Sequence, residues 1–305
     1  MTIKGHIMEK SDRISGTLSL GMEAKQENRI AEAFRRLQRN KGAILGLIIL
    51  VLISLISVFA PLVATHNPID AVFEESLLPP SSEHLMGTDV LGRDIYSRVI
   101  YGSRISLQLG FVSVAIAAFF GTVLGLQSGY FGGWLDMVVM RIIDVMLAFP
   151  GLLLAMGIVA GLGFSLTNAM IAVGISAIPG YTRVVRGSVL VIKENLYVDA
   201  ARVIGCRDLA IMFRHILPNA MAPIIVLSTL GIARAIITGS ALSFLGLGAQ
   251  PPTPEWGAML NHGRQWLRQG WWVTTFPGLA IMITVLSINM LGDGLRDALD
   301  PRLRV

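Results

Sequence analysis

Six apolar runs, each long enough to cross a bilayer, divide this chain, and polar segments of unequal length join them. The runs cover about 43–63, 105–126, 135–160, 168–185, 223–245 and 273–291. A spanning helix needs ~20 apolar residues at ~1.5 Å rise each, and every run approaches or meets that length. Pro150 falls inside the third run and Pro179 inside the fourth. The predicted fold class is all-α: a polytopic membrane protein with six transmembrane helices and one structured polar loop. Two of the connections are long, 64–104 and 246–272. In the first, Gly87 and Gly92 mark turns and Asp94 is placed to cap the helix that feeds the second span.

The stretch 197–218, YVDAARVIGCRDLAIMFRHILP, is polar and basic between two spans. Its pattern predicts two short helices around a break. Asp199, Ala200 and Ala201 fall in the first. Gly205 stands where a helix ends on a left-handed residue. The second presents Leu209, Met212, Phe213 and Ile216 at i, i+3, i+4, i+7 spacing. Pro218 cannot continue that hydrogen-bond ladder and is expected to re-aim the chain into the fifth span. Such a unit reads either as a docking element for a soluble partner or as an ordinary interhelical loop.

Ahead of the first span, Ile30, Ala33, Phe34 and Leu37 share a helical face among arginines, a pattern for a helix lying in the membrane interface. The organisation is therefore a tail over 1–41 with that amphipathic helix, then a membrane domain over 42–305 containing the 197–218 loop. The first apolar run follows a long basic tail and reads as a retained span, not a cleaved signal. Gly-x3-Gly pairs at Gly42/Gly46, Gly121/Gly125 and Gly157/Gly161 predict close helix packing.

Composition agrees: 53% of the 305 residues are hydrophobic and 15% charged, against roughly 25% charged in soluble domains. The net charge of +5 is clustered. Lys and Arg concentrate in the N-terminal tail, in the fourth-to-fifth connection and at the C-terminus, which puts all three on the cytoplasmic side. Nothing in the pattern suggests nucleic acid; membrane lipid is the expected surroundings. The single cysteine, Cys206, excludes an internal disulfide. The five histidines, at 6, 66, 84, 215 and 262, are scattered with no pair at helical ligand spacing. No metal site, catalytic residue or cofactor is expected in the chain.

Charges inside spans cost about 2.5–3.5 kcal/mol each on insertion scales and need a reason. Arg141 and Asp144, at i, i+3, are placed to neutralise one another, with Asp136 as a further partner. The alternative sets them at the mouth of a translocation pathway, with Phe149-Pro150 at a kink. Arg234 has no acidic residue in its own span. It lines a pathway or faces another subunit.

Three segments carry a family resemblance. The loop spacing resembles the E-A-A-x3-G-x9-I-x-L-P loop of inner-membrane subunits of binding-protein-dependent ABC importers. It reads here as Asp199-Ala200-Ala201, Gly205, and His215-Ile216-Leu217-Pro218, with aspartate for the glutamate and His215 for the first isoleucine. The run GTDVLGRD at 87–94 is similar to the G-T-D-x-L-G-R-D signature of the dipeptide, oligopeptide and nickel permeases, and SALSFLGLGAQPPTPEWG at 240–257 is similar to the same group. The resemblance implies a type I importer permease subunit, itself no enzyme, in the bacterial inner membrane with both termini cytoplasmic. It implies a heterodimer with a second, homologous permease and two P-loop ATPase subunits that hold ATP and Mg and dock on the 197–218 loop. A periplasmic or lipoprotein substrate-binding protein would deliver short peptides, with glutathione-like peptides or nickel chelates as alternatives.

Absent motifs fit that assignment. The chain has no G-x-x-x-x-G-K-[ST] phosphate loop, no His-Glu-x-x-His and no Gly-x-Ser-x-Gly. An ion-gradient-driven secondary transporter is the alternative from another class; Pro150 and Pro179 are placed to break two spans as such folds do, but no internal repeat is visible.

Overall fold

The structure is a computed structural model that describes Arg35 and residues 37–299. The predicted interfacial helix has Ile30, Ala33 and Phe34 outside that range. Among the described residues the architecture is helical, with an isolated bridge between Thr88 and Asp94 as extended pairing. The main elements are α1 (Lys41–Val58), α2 (Ala60–Val63), α3 (Ile95–Phe131), α4 (Gly133–Leu147), α5 (Gly151–Leu162) and α6 (Leu166–Ile192). They are followed by α7 (Leu196–Val203), α8 (Asp208–Ala210), α9 (Leu217–Phe244), α10 (Trp256–Gly263) and α11 (Trp272–Leu299).

Four helical stretches are individually long and apolar enough to cross a membrane: α1, α3, the run Asp208–Phe244 and α11. The α4–α5 pair passes together as a bent fifth, and α6 is the sixth long element of the bundle. α3 has 37 residues, ~55 Å at helical rise, so it outreaches a hydrocarbon core of ~30 Å. It joins two ends of the molecule. At one, Asp94 caps it by accepting from Ser97 N at 2.7 Å, as the sequence predicts. At the other, Tyr130 meets the 196–216 loop.

Three expectations need correction. The third span is not one kinked helix: α4 and α5 meet at 95°. Proline disfavours helical geometry in the residue before it, and Pro150 is itself extended, with ψ 132°, so the helix stops at Leu147 and restarts at Gly151. Pro179, by contrast, does not break α6; it is buried mid-helix against its neighbours, a setting in which membrane helices tolerate proline. Pro218 does not re-aim the chain either. Ile211–Ile216 forms a π-helical turn, with Leu217 N–H donating to Met212 O, and the helix runs on into α9. The wider turn accommodates the ring and the missing N–H.

α3 and α6 pack with their backbones close together. Ideal Cβ atoms at Gly125 and Gly129 would lie 2.7–2.8 Å from Thr182 O, Val185 or Val189 of α6. Gly46 is likewise pressed against α11. Gly157 and Gly161 meet nothing within 4 Å, so that predicted pair packs against no helix among the described residues.

At the Asp94 end the GTDVLGRD segment is a knot of hydrogen bonds. Asp89 accepts from Leu91 N, Arg93 N and Arg93 Nε at 2.8, 3.1 and 2.7 Å. Arg98 donates to Pro68 O at 2.7 Å. Gly87 and Gly92 take φ of 74° and 73°, and Val72 O lies so close to Gly92 that no side chain fits. Trp272 Nε1 donates to Thr88 O and Trp256 Nε1 to Val99 O, at 3.1 and 3.0 Å, tying both long connections together. Buried Glu255 caps α10 through Gly257 N and Ala258 N and accepts from Ser240. Burial pushes its carboxyl up, against those donors.

Candidate functional site

Both helices of the 196–216 segment are packed into one core. Val198 and Ala201 of α7 are buried, together with Ile211, Met212 and Ile216. They pack on Leu126 and Tyr130 of α3, Val185 and Val189 of α6, and Ala220 and Ile224 of α9. Of the four residues predicted to share a face, only Met212 and Ile216 turn inward. Leu209 and Phe213 are exposed, and Ile211 takes a buried place. The π-helical turn rotates the face from the i, i+3, i+4 pattern.

Gly205 ends α7 with φ +83°. Gly205 N donates to Arg202 O and Cys206 N to Ala201 O, both at 3.0 Å. That pair of bonds is a Schellman ending, and half-buried Cys206 packs against the same core as Ala201. Tyr130 Oη donates to Asp208 Oδ1 at 2.6 Å, and the Arg202 guanidinium lies 5.5 Å from the Tyr130 ring centre. The second helix is thereby anchored to α3. Asp199 is exposed and only 3.5 Å from Arg202, an ion pair of at most ~1 kcal/mol. Burial raises the Tyr197 hydroxyl pKa.

The outward side is apolar. Leu196, Val203 and Ile204 are 86%, 87% and 78% exposed, beside Leu209 and Phe213. Exposed Arg202, Arg207 and Arg214 lie among them. An apolar patch rimmed by charge marks an interaction surface. Ala200 and Pro218 are exposed, Ile216 is buried, and His215 and Leu217 are half-buried. His215 O accepts from Asn219 Nδ2 at 2.7 Å.

The membrane charges pair differently from the sequence expectation. Asp144 binds Arg183 of α6 at 2.6 Å, not Arg141, which is exposed. Asp136 accepts both Arg186 Nε and Nη2 at 2.6 Å, and Ser128 donates to it as well. Spacing within α4 pointed to a local pair, but side chains one turn apart lost to arginines on the neighbouring helix. Phe149 is exposed at the α4–α5 corner. Arg234 is exposed on α9, ~15 Å below Phe244 at helical rise, and forms no ion pair among the described residues. Leu227 and Gly231, on its face of α9 by spacing, touch Tyr181, whose hydroxyl donates to Leu227 O at 3.4 Å.

Residues 121–305 match the family described as the binding-protein-dependent transport system inner membrane component, and residues 28–80 match the N-terminal TM domain of oligopeptide transport permease C. The chain belongs to the binding-protein-dependent transport permease family. A dipeptide transport system permease protein DppC of Alkalihalophilus pseudofirmus is 51% identical over 90% of each chain. A glutathione transport system permease protein GsiD of Pectobacterium atrosepticum is 53% identical over 74% of this chain and 75% of its own. A di/tripeptide transport system permease protein DppC of Pseudomonas aeruginosa is 46% identical over 90% and 93%. Among solved structures, a chain of the MetNI methionine ABC transporter in an inward facing conformation superposes with TM-score 0.53 at 22% identity, covering 68% of this chain and 98% of that one. This permease is accordingly an integral, multi-pass membrane component of a transport system, with the importer-type helical fold that the sequence predicts.

Proposed function

We propose that this permease subunit forms, with a second homologous permease, the transmembrane path of an ATP-driven importer of short peptides. The observation that carries the coupling role is the 196–216 segment: a core-anchored, Schellman-ended helix pair whose outward side is apolar and basic. An ATPase subunit docks there, one of two at the cytoplasmic face of the complex, and these subunits hold the ATP and Mg that this chain has no motif to bind. This places the loop and both termini in the cytoplasm, in line with the Lys and Arg distribution. A substrate-binding protein delivers peptide at the Asp94 end. Movement of α8 reaches α3 through Tyr130–Asp208 and reaches α9 through the continuous helix, and α7 follows through Arg202 against the Tyr130 ring, so the spans switch between inward-open and outward-open states. ATP and peptide drive that switch only because they bind the two states unequally.

The peptide assignment rests on relatives named for dipeptides and di/tripeptides over 90% of this chain. Glutathione is the second reading, supported by the 53% identical relative. Arg234, without a partner carboxylate among the described residues, is proposed to attract the substrate's carboxylate. Proteoliposomes carrying the full complex and its binding protein test this. ATP-dependent uptake of a labelled dipeptide, competed more strongly by unlabelled dipeptides than by glutathione, is the expected result. Arg234→Ala is expected to reduce uptake with assembly intact. Uptake that follows a proton or sodium gradient and ignores ATP contradicts the proposal.

A further inference from the structure

The histidines that are scattered along the chain are not all scattered in space. His66, just beyond α2, and His84, in the turn before GTDVLGRD, stack with ring centres 4.8 Å apart. Asp94, the cap of α3, completes a group whose ligating atoms all lie within 4.8 Å of one another. His84 Nδ1 is 3.0 Å and His66 Nδ1 3.9 Å from Asp94 Oδ1. Two ligands bound at ~2.0–2.2 Å and a tetrahedral angle are separated by roughly 3.4 Å, and the two distances bracket that value. Thr65 Oγ1, 3.0 Å from His66 Nδ1, adds an oxygen at the site.

The supporting contacts orient each group. Asp94 Oδ2 is occupied by Ser97 N at 2.7 Å, which leaves Oδ1 for the cluster. Ser97 Oγ accepts from His66 N at 2.9 Å, which fixes the backbone carrying that ring. His84 is the informative member. It is buried, and both of its ring nitrogens face carboxylate oxygens: Nδ1 faces Asp94, and Nε2 faces Glu75 Oε2 at 3.3 Å. A neutral imidazole has one N–H and satisfies one carboxylate only. A metal on Nδ1 removes the conflict, because Nε2–H then donates to Glu75 in the carboxylate–histidine–metal arrangement common in protein sites. The competing arrangement is an imidazolium donating to both carboxylates, which binds no metal.

We propose that His66, His84 and Asp94 bind a borderline divalent cation of the zinc class, with Glu75 orienting His84. His66 is the half-exposed member and leaves the site open for a fourth ligand, which water supplies. A bound ion staples the segment leaving α2 to the start of α3. The inference does not depend on the substrate carried.

The test uses the full complex, stripped of metal with a chelator and titrated with Zn2+ against a chromogenic competitor. Wild type is compared with His66→Ala and Glu75→Gln, neither of which removes the Asp94 cap. One strong site per permease chain is expected in wild type and is absent in His66→Ala. Glu75→Gln is expected to weaken that site roughly 10–100-fold. Zn2+ should raise the melting midpoint of wild type, since an ion that binds only the folded state stabilises it, and leave that of His66→Ala unmoved. Equal zinc uptake and equal midpoints in wild type and His66→Ala overturn the proposal. So does a wild-type complex that takes up no zinc.

Discussion

At the scale of single residues, Gly205 carries the most consequence for the least mass. Its φ of +83° belongs to a region where a side chain costs roughly 1–2 kcal/mol. A Cβ added there would meet nothing within 4 Å, so the penalty is backbone strain and not collision. Gly205→Val is therefore expected to distort the α7 ending and either uncouple ATP hydrolysis from uptake or prevent ATPase docking. Gly205→Asn, which tolerates the left-handed region better, should retain more of both. ATPase rate and uptake in the same vesicles check this; unchanged coupling in Gly205→Val contradicts the role given to the loop. Asp94 and Gly205 were legible because capping and left-handed endings are local chemistry. Asp144 was misread because its partner, Arg183, lies 39 residues away on another helix, and spacing within one helix cannot reveal it. The same limit hid His66 and His84 from one another.

At the scale of elements, the α3–α6 seam is the structural spine between the two ends of the molecule. Gly125 tests it directly, because an added Cβ falls 2.7 Å from Thr182 O and 3.0 Å from Arg186 N, both backbone atoms. Backbone cannot rotate aside as a side chain can. Gly125→Val should separate the helices and destabilise the protein by roughly 1–3 kcal/mol, the usual cost of overpacking. Gly157→Ala, with open space around it, should leave the folded chain unaffected. Melting of the purified permease chain distinguishes the two, and equal midpoints argue against the seam. The sequence revealed the six apolar runs and the Gly121/Gly125 contact because period and small-residue spacing are written in it. The right-angle corner at Pro150 and the uninterrupted passage through Pro218 were not legible. Both residues forbid the same hydrogen bond, and the outcome depends on whether the surrounding packing favours a break or a π-helical turn.

At the scale of the whole molecule, the fold and family follow from agreement among independent features: six runs, a spaced loop, and a turn motif whose residues prove to be mutual hydrogen-bond partners. Assembly acts on the surface that this chain leaves uncovered. The apolar outward side of α7 and α8 is suited to ATPase subunits. The α5 glycines Gly157 and Gly161, which meet nothing within 4 Å among the described residues, leave a surface suited to close packing by a second permease. The most direct measurement is a mild-detergent pull-down of the tagged chain from its native membrane, with every co-purifying subunit identified. The account predicts a second multi-span permease and P-loop ATPase subunits, and their loss from the Gly205→Val preparation or persistence there without coupled transport. Recovery of the chain alone, or as a homodimer without any ATPase, would contradict it.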